Sequence, residues 1–420
     1  MDLKEKKTVF EVFKERGFIE QVTDEEKIAE LLEGKVTCYI GFDPTASSFH
    51  VGNLVPIMAL SHMQRFGHRP IALIGGGTGL VGDPSGKDEM RQILTYEEIN
   101  RNAEAQKRQF SRFLDFSEGK ALLLNNADWL TKLNYIDFLR DIGVHFSVNR
   151  MLATESIKIR LESGLSFIEF NYQLLQAYDF WYLFKHYQCL IQMGGSDQWG
   201  NIVAGIDLIR RLEGKQAYGI TFPLIKTADG KKMGKTEKGA VWLDPNRTSP
   251  YEYYQFWMNT DDRDVERFLS LFTFLPMEEV REYGKLRGAE IRKAKETLAF
   301  EATKIVHGQE EAEKARDASK VLFSEMEARE DAIPTTFIER EKVIEGIPIF
   351  KLFEISGLSK SSSEARRLIL QGGGYLNKKR VDHFDQLITL NDFNDRGEIL
   401  LRAGKKKFHR IKLIENKGNF

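Results

Sequence analysis

From Val36 to about Leu224, apolar residues follow two alternating rhythms. VTCYIGF (Val36–Phe42), PIALIGGG, ALLLNN and CLIQMGG are short β-branched or aliphatic runs that read as buried strands, and helically spaced stretches lie between them. Strands alternating with helices predict an α/β fold with a doubly wound parallel sheet, which gathers ligands at the carboxyl ends of its strands. Asp43-Pro44 stops the first strand, Ser47 or Ser48 can cap the next element, and Leu54 to Phe66 is helically spaced and closed by Gly67. Asp128–Ser166 interrupts the alternation with helical spacing.

The ends of the chain differ. Residues 1–34 read as helical segments broken by Gly17 and capped near Thr23-Asp24. From Pro250 to about Ala328 the pattern is almost wholly helical, and EEAEKARDASK reads as a solvated helix face. Glu325–Ile347, acidic and carrying Pro334, reads as a linker. In the tail a helix predicted to start at Leu358-Ser359 carries Arg366 and Arg367. A turn at Gly372–Gly374 leads into strands, with Lys378-Lys379-Arg380 and Lys405-Lys406-Lys407 at turns.

Composition narrows the class. A chain of 420 residues, 42% hydrophobic and 29% charged, predicts two to three globular domains. Cys38 and Cys189 sit in apolar runs and read as reduced core residues, not as a disulfide or metal site. The start MDLKEKKTVF has no apolar signal core, and no run approaches the roughly 20 apolar residues of a membrane span, so a cytoplasmic protein is expected. The net charge of −1 hides an asymmetry: residues 348–420 hold 15 Lys+Arg against 8 Asp+Glu, which leaves the body acidic and points the tail at nucleic acid.

The chemistry gathers in two motifs about 180 residues apart. Gly41-Phe42-Asp43-Pro44-Thr45 runs on into His50-Val51-Gly52-Asn53, where a strand gives way to a helix. Free amides and the helix dipole there favour phosphate, His50 and Thr45 are donors, and Gly52 leaves room for an adenine ring. Taken alone, this leaves open an ordinary strand–turn–helix with a capping histidine. Lys231-Lys232-Met233-Gly234-Lys235-Thr236 follows turn chemistry and has too few apolar residues to form an element. Lysines on a mobile loop suit developing phosphate charge, although in isolation KKxxK reads better as a solvated basic turn. Together the motifs describe a triphosphate attacked at its α-phosphorus. In EFNYQLLQAYDFWYLFKHY, Tyr172, Gln176 and Asp179 share one helix face, and a carboxylate among Tyr178, Phe180 and Trp181 requires a partner.

These motifs resemble those of class I aminoacyl-tRNA synthetases, specifically the bacterial-type tyrosyl enzymes. HVGN is similar to their HIGH signature and KMGKT (Lys232–Thr236) to their KMSKS loop. GGGTGLVGDPSGK (Gly75–Lys87), EFNYQLLQAYDF (Glu169–Phe180) and QMGGSDQWGN (Gln192–Asn201) match further blocks, so the likeness covers nearly the whole chain. Asn53 stands for the second histidine of HIGH, and Gly234 for the first serine of KMSKS. The resemblance implies a Rossmann-like catalytic domain over 1–247 with a helical dimer-interface insertion at about 128–166. It also implies an α-helical anticodon-binding domain over 248–328, a linker at 329–350, and a small α+β RNA-binding module of the ribosomal S-four type over 351–420.

It assigns residues as well. Asp179 would accept the phenolic proton of L-tyrosine with Tyr39 as second partner. Asp83, Tyr172 and Gln176 would take the ammonium, and Gln198 the carboxylate side. Gly41, Asp43, His50, Gly52, Asn53, Gly195, Asp197, Lys232 and Lys235 would hold ATP. Thr45, His50, Lys87, Arg91, Lys232, Lys235 and Thr236 would serve the reaction, with Mg2+ riding on ATP and no tightly bound metal. Read singly, Asp83 is also a turn former, Asp197 a helix cap, and Lys87 and Arg91 surface charges. The implied partners are tRNA(Tyr) and a second copy of the chain, with no membrane. An adenylyltransferase of small metabolites, a catalytically silent RNA-binding relative, and an enzyme taking tryptophan are the competing readings. The basic tail and the Asp179 face oppose the first, and intact His50, Lys232 and Lys235 oppose the second.

Overall fold

The computed structural model describes residues 7–85, 94–230, 233–236, 239–331, 334–377, 379–404 and 407–414. They form two compact units, 1–319 and 320–420.

The first unit is built on six strands: β1 (Gln21–Val22), β2 (Thr37–Phe42), β3 (Arg69–Ile74), β4 (Leu122–Asn125), β5 (Cys189–Gly195) and β6 (Tyr218–Phe222). Their order is β1-β6-β5-β2-β3-β4, parallel except for β1, which pairs antiparallel at the edge. β1 falls within the stretch read as purely helical; too short to show alternation, it left no pattern. The chain runs outward from β2 through β3 and β4, then returns to place β5 on the other side of β2. Such a reversal opens a crevice at the strand ends; HVGN follows β2, and QMGGSDQWGN runs through the end of β5, the two strands that border it. Cys38 and Cys189 are buried free thiols on β2 and β5, with burial pushing both pKa values up.

One hydrophobic cluster runs from Val9 and Phe10 through Val55, Met58 and Phe222 to Trp257, Phe268 and Ala315. The helices after Pro250 therefore share a core with the sheet. The 309–331 helix runs across the boundary between the two units. The 128–166 segment holds helices Tyr135–Asp141, Val148–Leu152 and Glu155–Ser163, and in it Tyr135, Ile136, Val144 and Val148 are exposed.

A short hairpin, β7 (Lys235–Thr236) with β8 (Gly239–Ala240), corrects the expectation that KMGKT forms no element. Main-chain pairing, which needs no apolar side chains, supplies the order there.

The second unit holds β9 (Thr335–Glu339), β10 (Ile347–Pro348), β11 (Gly374–Leu376), β12 (Lys379–Arg380), β13 (Leu387–Ile388), β14 (Glu398–Ala403) and β15 (Lys407–Ile414). Five of these form a sheet in the order β12-β11-β14-β15-β9, and helices Ile349–Ile355 and Ser362–Leu370 cover a core of Leu352, Phe353, Ile369, Leu401 and Ile411. Part of the stretch read as linker is thus built into this sheet, since β9 pairs parallel with β15. The tail helix starts at Ser362 and not at Leu358-Ser359, because Ser361 supplies the cap by accepting from the Glu364 amide. Among the described residues no helix is long and apolar enough to cross a membrane.

Candidate active site

The crevice between β2 and β5 deepens into a cavity of about 340 Å³. Its lining brings together Tyr39, Gly41, Asp43, Thr45, His50, Asn53, Asp83, Tyr172, Gln176, Asp179, Gly195, Asp197 and Gln198 from distant parts of the chain. Lys87, Arg91 and Lys232 lie outside the described residues, and of Lys235 and Thr236 only the backbone is described.

The floor is set by the 172–187 helix, so apolar that it packs against the sheet, and it brings Tyr172, Gln176 and Asp179 to the cavity. Asp179 is 2% exposed and accepts from Asn126 Nδ2 at 2.8 Å and Trp129 Nε1 at 2.7 Å. Burial pushes this carboxyl up to about 7; the two donors pull the other way, and the nearby charge of Asp43 adds to the rise. Tyr39, on β2, points its hydroxyl into the same floor, buried and without a hydrogen-bond partner, and burial raises its pKa well above the usual phenol value. Gln192 faces Tyr39 across the β2–β5 register, and its Oε1 is likewise buried and unpaired. A buried polar atom left unpaired costs about 1–3 kcal/mol, which a ligand supplying the missing bond recovers.

Higher up, one network links the remaining polar groups. Asp83 Oδ2 accepts from Gln198 Nε2 at 2.7 Å, while its Oδ1 accepts from the Ser85 amide at 2.9 Å. Asp83 therefore both forms its turn and lines the cavity. Asn201 Nδ2 donates to Gln176 Oε1 at 3.0 Å and to Gln198 Oε1 at 3.2 Å. Asp43 accepts from Thr78 Oγ1 at 2.7 Å and from the Tyr172 hydroxyl at 2.9 Å. Gly75 must be glycine beside it, since a Cβ would lie 2.0 Å from Asp43 Oδ1.

At the mouth the cap is His50, not Ser47 or Ser48. His50 Nδ1 accepts from the Gly52 amide at 3.0 Å, and Asn53 Oδ1 accepts from the His50 amide at 3.0 Å, closing the turn Val51–Asn53. Ser48 instead turns inward, donating to the Phe49 carbonyl and accepting from Gln109 and the Asp244 amide. With Nδ1 engaged as acceptor, the neutral imidazole carries its proton on Nε2. Gly52 is needed by the histidine itself: a Cβ would meet the imidazole at 2.7 Å. Gly234, at φ 80°, lies so close that a Cβ would sit 3.0 Å from the Gly52 nitrogen, which accounts physically for glycine at this position of the loop.

Sequence reasoning missed Asn126, Trp129, Gln192 and Asn201. Asn126 ended an apolar run at a strand tip, which is a usable signal. Trp129 was placed in the 128–166 segment, yet its indole N–H holds the Asp179 carboxylate.

The same architecture appears in known proteins. The family profile described as tRNA synthetases class I (W and Y) matches residues 31–324. The tyrosine--tRNA ligase of Desulfatibacillum aliphaticivorans is 60% identical, over 98% of this chain and 100% of that protein. That of Syntrophus aciditrophicus is 58% identical, over 97% and 99%. A C-terminally truncated mitochondrial tyrosyl-tRNA synthetase from Aspergillus nidulans superposes with a TM-score of 0.69 at 32% identity, covering 76% of this chain and 95% of its own. One from Archaeoglobus fulgidus shares the fold at 18% identity, with a TM-score of 0.56 over 73% of this chain and 99% of its own. The chain belongs to the class I tRNA synthetases. Within that class, the relatives it matches along nearly its full length are tyrosine--tRNA ligases.

Proposed function

We propose that the cavity seats L-tyrosine and ATP together, phenol at the floor and triphosphate at the mouth. The chain activates tyrosine with ATP to tyrosyl-adenylate and passes the tyrosyl group to the 3' end of tRNA(Tyr), in translation. The observation that carries the seating is the Tyr39 hydroxyl, buried without a partner in the same cavity as Asp179 and His50. Each oxygen of Asp179 holds one donor and has a lone pair to spare, so the carboxylate accepts the substrate phenol while Tyr39 donates to the phenolic oxygen. Asp83, Tyr172 and Gln176 take the ammonium, and Gln198 orients the carboxylate.

The carboxylate is ionised at neutral pH and needs no general base. Its oxygen forms a bond to the α-phosphorus as the bond to pyrophosphate breaks, so the protein's part is positioning and charge stabilisation. Thr45 and the Nε2–H of His50 face the phosphates. Gly41, Asp43, Gly52, Asn53, Gly195 and Asp197 shape the nucleoside side, and Lys87, Arg91, Lys232, Lys235 and Thr236 serve the departing pyrophosphate. Mg2+ arrives with ATP as part of the substrate.

Residues 248–328 serve the anticodon side of tRNA and 351–420 bind RNA through basic turns. The exposed apolar residues of the 128–166 segment form the interface of a cytoplasmic homodimer. Pyrophosphate–ATP exchange across the twenty amino acids tests the reading: tyrosine alone should support it, and exchange driven by tryptophan or phenylalanine would overturn it.

A further inference from the structure

We infer that Trp242 is a positioning residue for His50, setting the imidazole from the stretch directly after β8, whose Val241 anchors the lysine loop. The inference rests on the reading of His50 as a phosphate donor. Within its own turn His50 is held at Nδ1 and at its backbone amide, which fixes the tautomer. A separate piece of chain packs against the ring. His50 and Trp242 form an antiparallel bridge, flanked by Val51 N–H to the Val241 carbonyl and Leu243 N–H to the Phe49 carbonyl, both at 2.9 Å. Residues opposite each other in such a pair project to the same face, so the two rings meet: their centres lie 5.9 Å apart with the planes at 73°.

Trp242 is itself fixed. The Arg247 guanidinium lies 3.3 Å from the centre of the indole, and the Trp242 amide donates to Thr248 Oγ1 at 3.0 Å. One residue earlier, the Val241 amide donates to the Gly234 carbonyl at 2.9 Å. The seat of the lysine loop and the wall behind the imidazole therefore lie in one stretch, Val241–Trp242. With Trp242 against its ring, His50 lines the cavity.

Steady-state pyrophosphate–ATP exchange on the full chain tests this with Trp242→Ala, Trp242→Phe, His50→Ala and the double variant Trp242→Ala/His50→Ala. Trp242→Ala should lower kcat about tenfold with the KM for tyrosine unchanged, and Trp242→Phe should restore most of it. In the His50→Ala background, Trp242→Ala should cost nothing further. An equal loss in both backgrounds, or a change confined to the tyrosine KM, would overturn the inference. If His50→Ala alone leaves exchange untouched, the phosphate reading fails instead. Arg247→Met, at an exposed position, covers the case in which Trp242→Ala does not fold: it should slow exchange two- to threefold, again only with His50 present, and the same loss without His50 would sink the idea.

Discussion

The two ends of this cavity recognise their ligands by opposite means. At the floor, Asp179 and Tyr39 are sealed from water at 2% and 1% exposure, and side chains on a strand and a long helix do the work. At the mouth, Gly41 and Gly52 are exposed, and His50 and Asn53 brace a tight turn of main chain. Burial makes the floor selective, because a partly mismatched ligand leaves a sealed group unpaired and nothing replaces the bond. Exposure makes the mouth adaptable: charge there is screened, and effect depends on geometry reached only when the loop seats. Specificity and rate are thus separable in space, and substitutions at one end should leave the other's readout alone.

The sharpest break is at the floor. Asp179→Ala should cut the preference for tyrosine over phenylalanine by about 100-fold or more, read as the ratio of kcat/KM in exchange, since a charge-assisted bond is lost. Unchanged selectivity would remove Asp179 from the phenol site. At the mouth, Gly234→Ala forces a side chain into left-handed backbone against Gly52. It should slow adenylate formation roughly tenfold in rapid-quench experiments while tyrosine affinity holds. Equal losses in both readouts would contradict the division.

The pH response sharpens the comparison further. The folded Asp179 carboxyl keeps its proton to about pH 7, whereas an unfolded one releases it near pH 4. Ionising it in the fold therefore costs stability as pH rises through that window, and only the ionised form accepts the phenol. Tyrosine affinity measured by equilibrium dialysis without ATP should rise about tenfold from pH 6 to pH 8. A flat profile would mean that the carboxylate is ionised throughout.

How much of this was legible in the sequence follows the same division. The parallel sheet showed because each central strand is buried on both faces and reads as an unbroken apolar run. Tyr172, Gln176 and Asp179 showed because helical spacing puts them on one face. The mouth was harder: a capping histidine was among the open readings, but that Gly234 lies against the Gly52 nitrogen depends on a contact between segments far apart in sequence. Gln192 was invisible for a related reason, and Asn126 showed only its place at a strand tip, since a polar residue in or at the tip of a strand does not reveal which cavity it faces. β9 lay hidden in a stretch whose acidic flank resembled a linker, and only its partner β15 gives it a place.

The measurement that bears most directly on the two-ended cavity is His50→Ala, followed in the same preparation by tyrosine binding at equilibrium and by single-turnover adenylate formation. Loss of one donor to developing phosphate charge should slow the chemical step about 100-fold and leave the dissociation constant for tyrosine where it was. Tyrosine binding that weakens in step with the rate would contradict the account.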